Sequence, residues 1–120
     1  MPQRVLIVDD ALFMRHLLRD IFSSAGWDVV GEAANGNEAL QQYQELRPNL
    51  VTMDIVMPER SGIDALQDIL ALDSDAVVIM CSALGQESMV MEAIHNGAKD
   101  FIVKPFQQEQ VLEIVSRIFG

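Results

Sequence analysis

The chain has 120 residues, 50% of them hydrophobic, a single cysteine and a formal net charge of −10. Such a chain fits one domain with a core that needs no staples; one cysteine excludes an internal disulfide or a cysteine-built zinc site, and the charge has the wrong sign for nucleic acid or an anionic membrane. No apolar run approaches a membrane span or a signal peptide, so a cytoplasmic protein is expected.

The first β-branched run covers residues 5–8 and ends in Asp9 and Asp10. A helical stripe follows at Met14, Leu17, Leu18, Ile21 and Ala25, closed by Gly26. Residues 27–33 read as a second strand, with Asp28 and Glu32 marking it as an edge; Trp27 at its start is a packing residue. A weaker helix over 39–46 stops before Pro48, and the apolar run 50–53 ends in Asp54. The next helix carries Ile63, Leu66 and Leu70. Strand 76–81, containing Cys81 as a small buried hydrophobe, leads into Ser82. A weaker helix over 89–94 ends before Gly97, strand 101–103 leads into Lys104, and a last helix shows Val111, Ile114, Val115 and Ile118. Alternating strands and helices imply an α/β fold with a parallel sheet covered on both faces. Strands 1, 3, 4 and 5, as nearly unbroken apolar runs, are expected to be buried on both sides.

The carboxyl ends of parallel strands share one edge, where open α/β sheets keep their ligands. Asp9, Asp10, Asp54, Ser82 and Lys104 should therefore converge. Taken singly, each is better explained as a helix cap or a solvated loop residue. As a set they are harder to explain away. Three adjacent carboxylates repel and raise one another's pKa unless a cation lies among them, and an all-oxygen ligand set suits Mg²⁺. A metal, a lysine and a hydroxyl around one carboxylate are the parts needed to neutralise a phosphoryl group in transfer while an Asp attacks it. Asp54 is the best nucleophile, with the segment from Ile55 to Pro58 expected to leave its strand end open to solvent and donor.

Together, Val8-Asp9-Asp10, Met53-Asp54-Ile55-Val56-Met57-Pro58 through Gly62, Cys81-Ser82-Ala83 and Phe101-Ile102-Val103-Lys104-Pro105-Phe106 resemble the signature of two-component response regulator receivers, and most of all the free-standing chemotaxis regulators of the CheY type. The resemblance spans essentially the whole chain, so residues 1–120 are expected to be one receiver domain without an effector domain. It implies five strands in the order 2-1-3-4-5 with five helices, for which CheY is a standard example. It further implies that Asp54 is the phosphoacceptor and that Mg²⁺ is held by Asp10, Asp54 and the backbone carbonyl of Val56, with Asp9 acting through a water. Ser82 and Lys104 would read the phosphoryl oxygens, Phe101 would be the aromatic switch, and Lys104-Pro105 would carry a cis peptide. The implied partners are a chemotaxis histidine kinase, a flagellar motor switch protein and a separate phosphatase, and the protein is expected to be a monomer rather than an enzyme that turns over. Output is expected through helix 4, strand 5 and helix 5, with Met91, His95, Phe101 and Phe106 as contacts.

This sequence departs from the commoner pattern at Ser82 for threonine, at Phe101 for the tyrosine of some CheY proteins, and at Val56, where many relatives are polar. Val56 and Leu84 are therefore expected to make self-dephosphorylation slow. His16 and His95 read as solvated helix residues, and most methionines as core filler. A haloacid dehalogenase-type phosphatase would need a second acid where Val56 stands. A flavin or nucleotide binder would offer glycines and amides where Asp9-Asp10 repel phosphate. Within receivers, the alternative is a phosphorelay intermediate that hands its phosphoryl group to a histidine phosphotransfer protein.

Overall fold

A computed structural model describes residues 3–120. Five strands alternate with five helices: β1 (Arg4–Val8), α1 (Leu12–Ser24), β2 (Asp28–Ala33), α2 (Gly36–Leu46), β3 (Leu50–Asp54), α3 (Gly62–Leu72), β4 (Val78–Ser82), α4 (Glu87–His95), β5 (Asp100–Val103) and α5 (Gln108–Phe119). All strand pairings are parallel and the sheet order is β2-β1-β3-β4-β5.

The period of two along each strand sorts side chains into two cores. Leu6, Val8, Val51, Met53, Val78 and Met80 face α2, α3 and α4, which contribute Ala39, Tyr43, Leu66, Ile69, Val90 and Ala93. Val5, Ile7, Leu50, Ile79, Cys81 and Ile102 face α1 and α5, which contribute Leu18, Phe22, Val111 and Val115. Trp27 packs edge-on between Phe22 and Phe119, as its packing role requires.

Local chemistry sets the helix ends. Asn35 caps α2 by accepting from the Glu38 amide, while Glu38 Oε1 accepts from the Ala34 amide, one residue before the cap. Ser61 caps α3 through the Asp64 amide. Gly26 and Gly97 take φ of +86° and +113° in the left-handed region after α1 and α4. At α2 the left-handed residue is Arg47, ahead of Pro48.

Strand 5 departs from the expectation of burial on both faces. The order places β5 at an edge, with Phe101 and Val103 exposed and only Ile102 fully buried. Its apolar sequence reflects a surface, which periodicity cannot distinguish from a core. β2 is the opposite edge, as its charges suggest.

Candidate functional site at the carboxyl edge of the sheet

Parallel pairing carries the ends of β1, β3, β4 and β5 to one edge and brings together all five residues expected there. Asp9, Asp10 and Asp54 offer carboxylate oxygens that all lie within 4.8 Å of one another. Lys104 Nζ lies 3.1 Å from Asp9 Oδ2 and 3.3 Å from Asp54 Oδ1. Asp9, Asp54 and Ser82 are buried, whereas Asp10 faces solvent. The Lys104–Pro105 peptide is cis.

The turn after β1 is tightly held. The Asp9 amide donates to the Ala33 carbonyl at 3.0 Å, and Asp9 Oδ1 accepts from the Ala11 amide at 2.9 Å. Asp9 Oδ2 is buried with the lysine ammonium 3.1 Å away and no other donor directed at it. A buried carboxylate oxygen with one ammonium beside it and two further carboxylates facing it is an environment that an oxygen-seeking divalent cation fits.

Asp54 closes the central strand. Against expectation, its strand end is not open: Asp54 is only 5% and Ile55 1% exposed, and in the following segment Val56 and Pro58 are exposed while Met57 is buried. The turn into α3 folds back on this strand end, where the Gly62 amide donates to the Ile55 carbonyl at 2.8 Å. A Cβ on Gly62 would lie 1.8 Å from the Asp54 carbonyl oxygen, so only glycine permits this approach.

Burial first, and the neighbouring Asp9 second, push the Asp54 carboxyl from 3.8 up to about 6, against the pull of Lys104. For Lys104, burial opposes the charge, yet Asp9 and Asp54 outweigh it and hold the ammonium above the ordinary lysine value. Without a further cation the site has one ammonium for three carboxylates. It can bind a divalent ion, and Asp54 can serve as an oxygen nucleophile once that excess is neutralised.

Ser82 ends β4, and the Ala83 amide donates to Gln86 Oε1 at 2.8 Å. Beyond it Leu84 is 84% exposed, and Phe101 points outward at 40% exposure. A cavity of about 210 Å³ lies beneath, bordered by Ser82, Val90, Met91, Phe101 and Val103. Met91 and His95 are exposed, while Phe106 is partly buried against the α1–α5 core.

Sequence reasoning missed several participants. Arg15 donates to the Asp9 backbone carbonyl and pairs with Glu32; Gln86 ties down the turn after Ser82. Glu32 is visible in the sequence as an edge marker, but its pairing with a helix residue 17 positions away is not.

Residues 5–116 match the response regulator receiver domain family. The chain belongs to that family. Chemotaxis protein CheY of Thermotoga maritima is 58% identical over 118 residues, 98% of either chain. Chemotaxis protein CheY of Bacillus subtilis is 56% identical over 117 residues, again 98% of each. Among solved structures, the CheX-CheY-BeF3-Mg²⁺ complex from Borrelia burgdorferi contains a chain 43% identical to this one, with a TM-score of 0.95, covering 100% of this chain and 91% of that one. This receiver is a phosphorylation-activated chemotaxis response regulator. The phosphorelay alternative has no better support than this.

Proposed function

We propose that this receiver takes a phosphoryl group from the phosphohistidine of a chemotaxis kinase onto Asp54 and thereby changes its affinity for a flagellar motor switch protein in the cytoplasm. The observation that carries this reading is Lys104 Nζ, 3.1 Å from Asp9 Oδ2 and 3.3 Å from Asp54 Oδ1, beside three mutually close carboxylates. Asp10, Asp54 and the Val56 carbonyl would hold Mg²⁺, with Asp9 acting through a water; the bound ion supplies positive charge for the phosphoryl oxygens. An Asp54 carboxylate oxygen attacks phosphorus, the P–N bond to the donor imidazole breaks, and the imidazole leaves with the electron pair. Lys104 and the Ser82 hydroxyl then contact the phosphoryl oxygens. The chain's own chemistry is confined to this carboxylate, so it acts as a signalling protein that does not turn over a substrate.

For output, movement of Ser82 toward the phosphoryl group frees space for the Phe101 ring, and the cavity beside Met91 and Val103 is where it would settle. A charge placed at the sheet edge thus becomes a change of shape on the α4–β5–α5 face. Incubation with a small phosphodonor and Mg²⁺ followed by intact-mass measurement tests the acceptor. One alkali-labile phosphoryl addition is expected, absent in Asp54→Asn; peptide mapping of the label to any other residue would overturn the assignment.

A further inference from the structure

The turn carrying Asp9 and Asp10 holds two adjacent carboxylates within reach of a third, so repulsion favours its opening. The Asp9 carbonyl also lies beyond β1 (Arg4–Val8), and its donor comes from outside the sheet ladder. That donor is Arg15, whose Nη1 lies 2.6 Å from the carbonyl oxygen. From the same guanidinium, Nε meets Glu32 Oε1 at 2.9 Å. The other Glu32 oxygen is taken by Arg19 Nη2 at 2.6 Å, so both carboxylate oxygens are engaged. Arg15 is only 16% exposed and Glu32 21%, which limits screening by solvent. Burial disfavours the Glu32 charge, but Arg19 and Arg15 outweigh it and keep its carboxyl below the ordinary value. α1, β2 and the end of β1 are thereby pinned through one planar fork.

We infer that Arg15, fixed in place by Glu32, is a positioning residue for the cation-binding turn, holding Asp9 and Asp10 in register with Asp54 by its bond to the Asp9 carbonyl. The inference rests on the proposed Mg²⁺ site and adds to it a support that reaches across to the edge strand. Arginine suits this role because two separate nitrogens serve two acceptors, whereas a lysine offers a single nitrogen for both.

The test uses the full chain and Mg²⁺ alone. Calorimetric titration should show Mg²⁺ binding weakened about tenfold in Arg15→Met, the lower end of the scale expected for a group supporting a ligand, and less, about threefold, in Glu32→Gln, which acts one step further away. Arg15→Lys should fall between Arg15→Met and the parent. Arg117→Met, which removes the same charge from the exposed surface of α5, should stay within about twofold, because a screened remote charge contributes little. Phosphoryl uptake from a small phosphodonor, followed against Mg²⁺ concentration, should need more metal in Arg15→Met but reach the parent's plateau rate. A folded Arg15→Met with unchanged Mg²⁺ affinity, or one that lowers only the plateau, would overturn the inference. If Arg15→Met does not fold, Glu32→Gln decides, and unchanged affinity there overturns it. A parent chain that binds no Mg²⁺ would instead refute the site itself, and this inference with it.

Discussion

At the scale of single residues, Asp54 trades stability for reactivity. In the metal-free protein its carboxyl is raised from 3.8 to about 6, so the folded state holds that proton more tightly than the unfolded chain does. The resulting cost to stability is absent below the unfolded pKa, grows as pH rises from about 4 to about 6, and is complete above it; with partial solvent screening it amounts to roughly 1 to 3 kcal/mol. Asp54→Asn should therefore raise the metal-free unfolding midpoint at pH 7.5 by several degrees and flatten its slope between pH 4 and 6, and Mg²⁺ should stabilise the parent more than the variant. Thermal melts across that pH range check both. Val56 and Leu84, two residues beyond Asp54 and Ser82, are 52% and 84% exposed and offer no hydrogen bond to orient an attacking water. Loss of the phosphoryl group is expected to be slow, with a partner phosphatase ending the signal. Val56→Asn should shorten the lifetime about tenfold if one oriented hydrogen bond supplies about 1.4 kcal/mol. Decay measured after removal of the phosphodonor gives the answer, and an unaccelerated variant would contradict the expectation.

At the scale of elements, β3 and the turn into α3 carry two contrasting features. Thr52 is fully buried in the central strand, and its Oγ1 has no hydrogen-bond partner. Its neighbours across the sheet are Ile7 and Ile79, so the hydroxyl lies among apolar groups. Thr52→Val removes an unsatisfied polar atom at nearly constant shape and should stabilise the fold by about 1 kcal/mol in urea unfolding. Gly62 is the opposite case. Its missing Cβ allows the Asp54 carbonyl to approach, and Gly62→Ala should cost about 2 to 4 kcal/mol by forcing the turn away from β3. Because that turn also carries the Val56 carbonyl, weaker Mg²⁺ binding should accompany the lost stability, and calorimetry on the same samples would show whether the two move together.

At the scale of the whole molecule, a net charge of −10 makes the folded chain repel itself, with the largest concentration of paired repulsion at the carboxyl edge of the sheet. Raising monovalent salt from about 0.02 to about 0.5 M, which shortens the screening length severalfold, should raise the metal-free melting midpoint, and the gain should be smaller in Asp54→Asn. The sole tryptophan, Trp27, sits beside the start of β2, at the end of the sheet away from Asp54, wedged between Phe22 and Phe119. Its emission should follow global unfolding while staying nearly constant on Mg²⁺ addition; a large change with Mg²⁺ at constant fold would mean that the two poles are coupled.

The alternation of strands and helices could be read from the chain, because β-branched runs and helical stripes are local patterns, and so could the residues that follow each strand. Given parallel pairing, Asp9, Asp10, Asp54, Ser82 and Lys104 had to meet at one edge, so the members of this candidate site were legible in the chain. Tertiary structure alone decided what surrounds them. The close return of Gly62 to the Asp54 carbonyl is a tertiary contact, and exposure of β5 depends on strand order, which an apolar tetrapeptide does not encode. The Arg15–Glu32 clamp on the Asp9 carbonyl joins groups distant in the chain, and its use of a backbone oxygen leaves no trace in residue type. Contacts set by three-dimensional proximity carry no local period, and for that reason a linear pattern could bring out the candidate site residues but not the side chains packed around them.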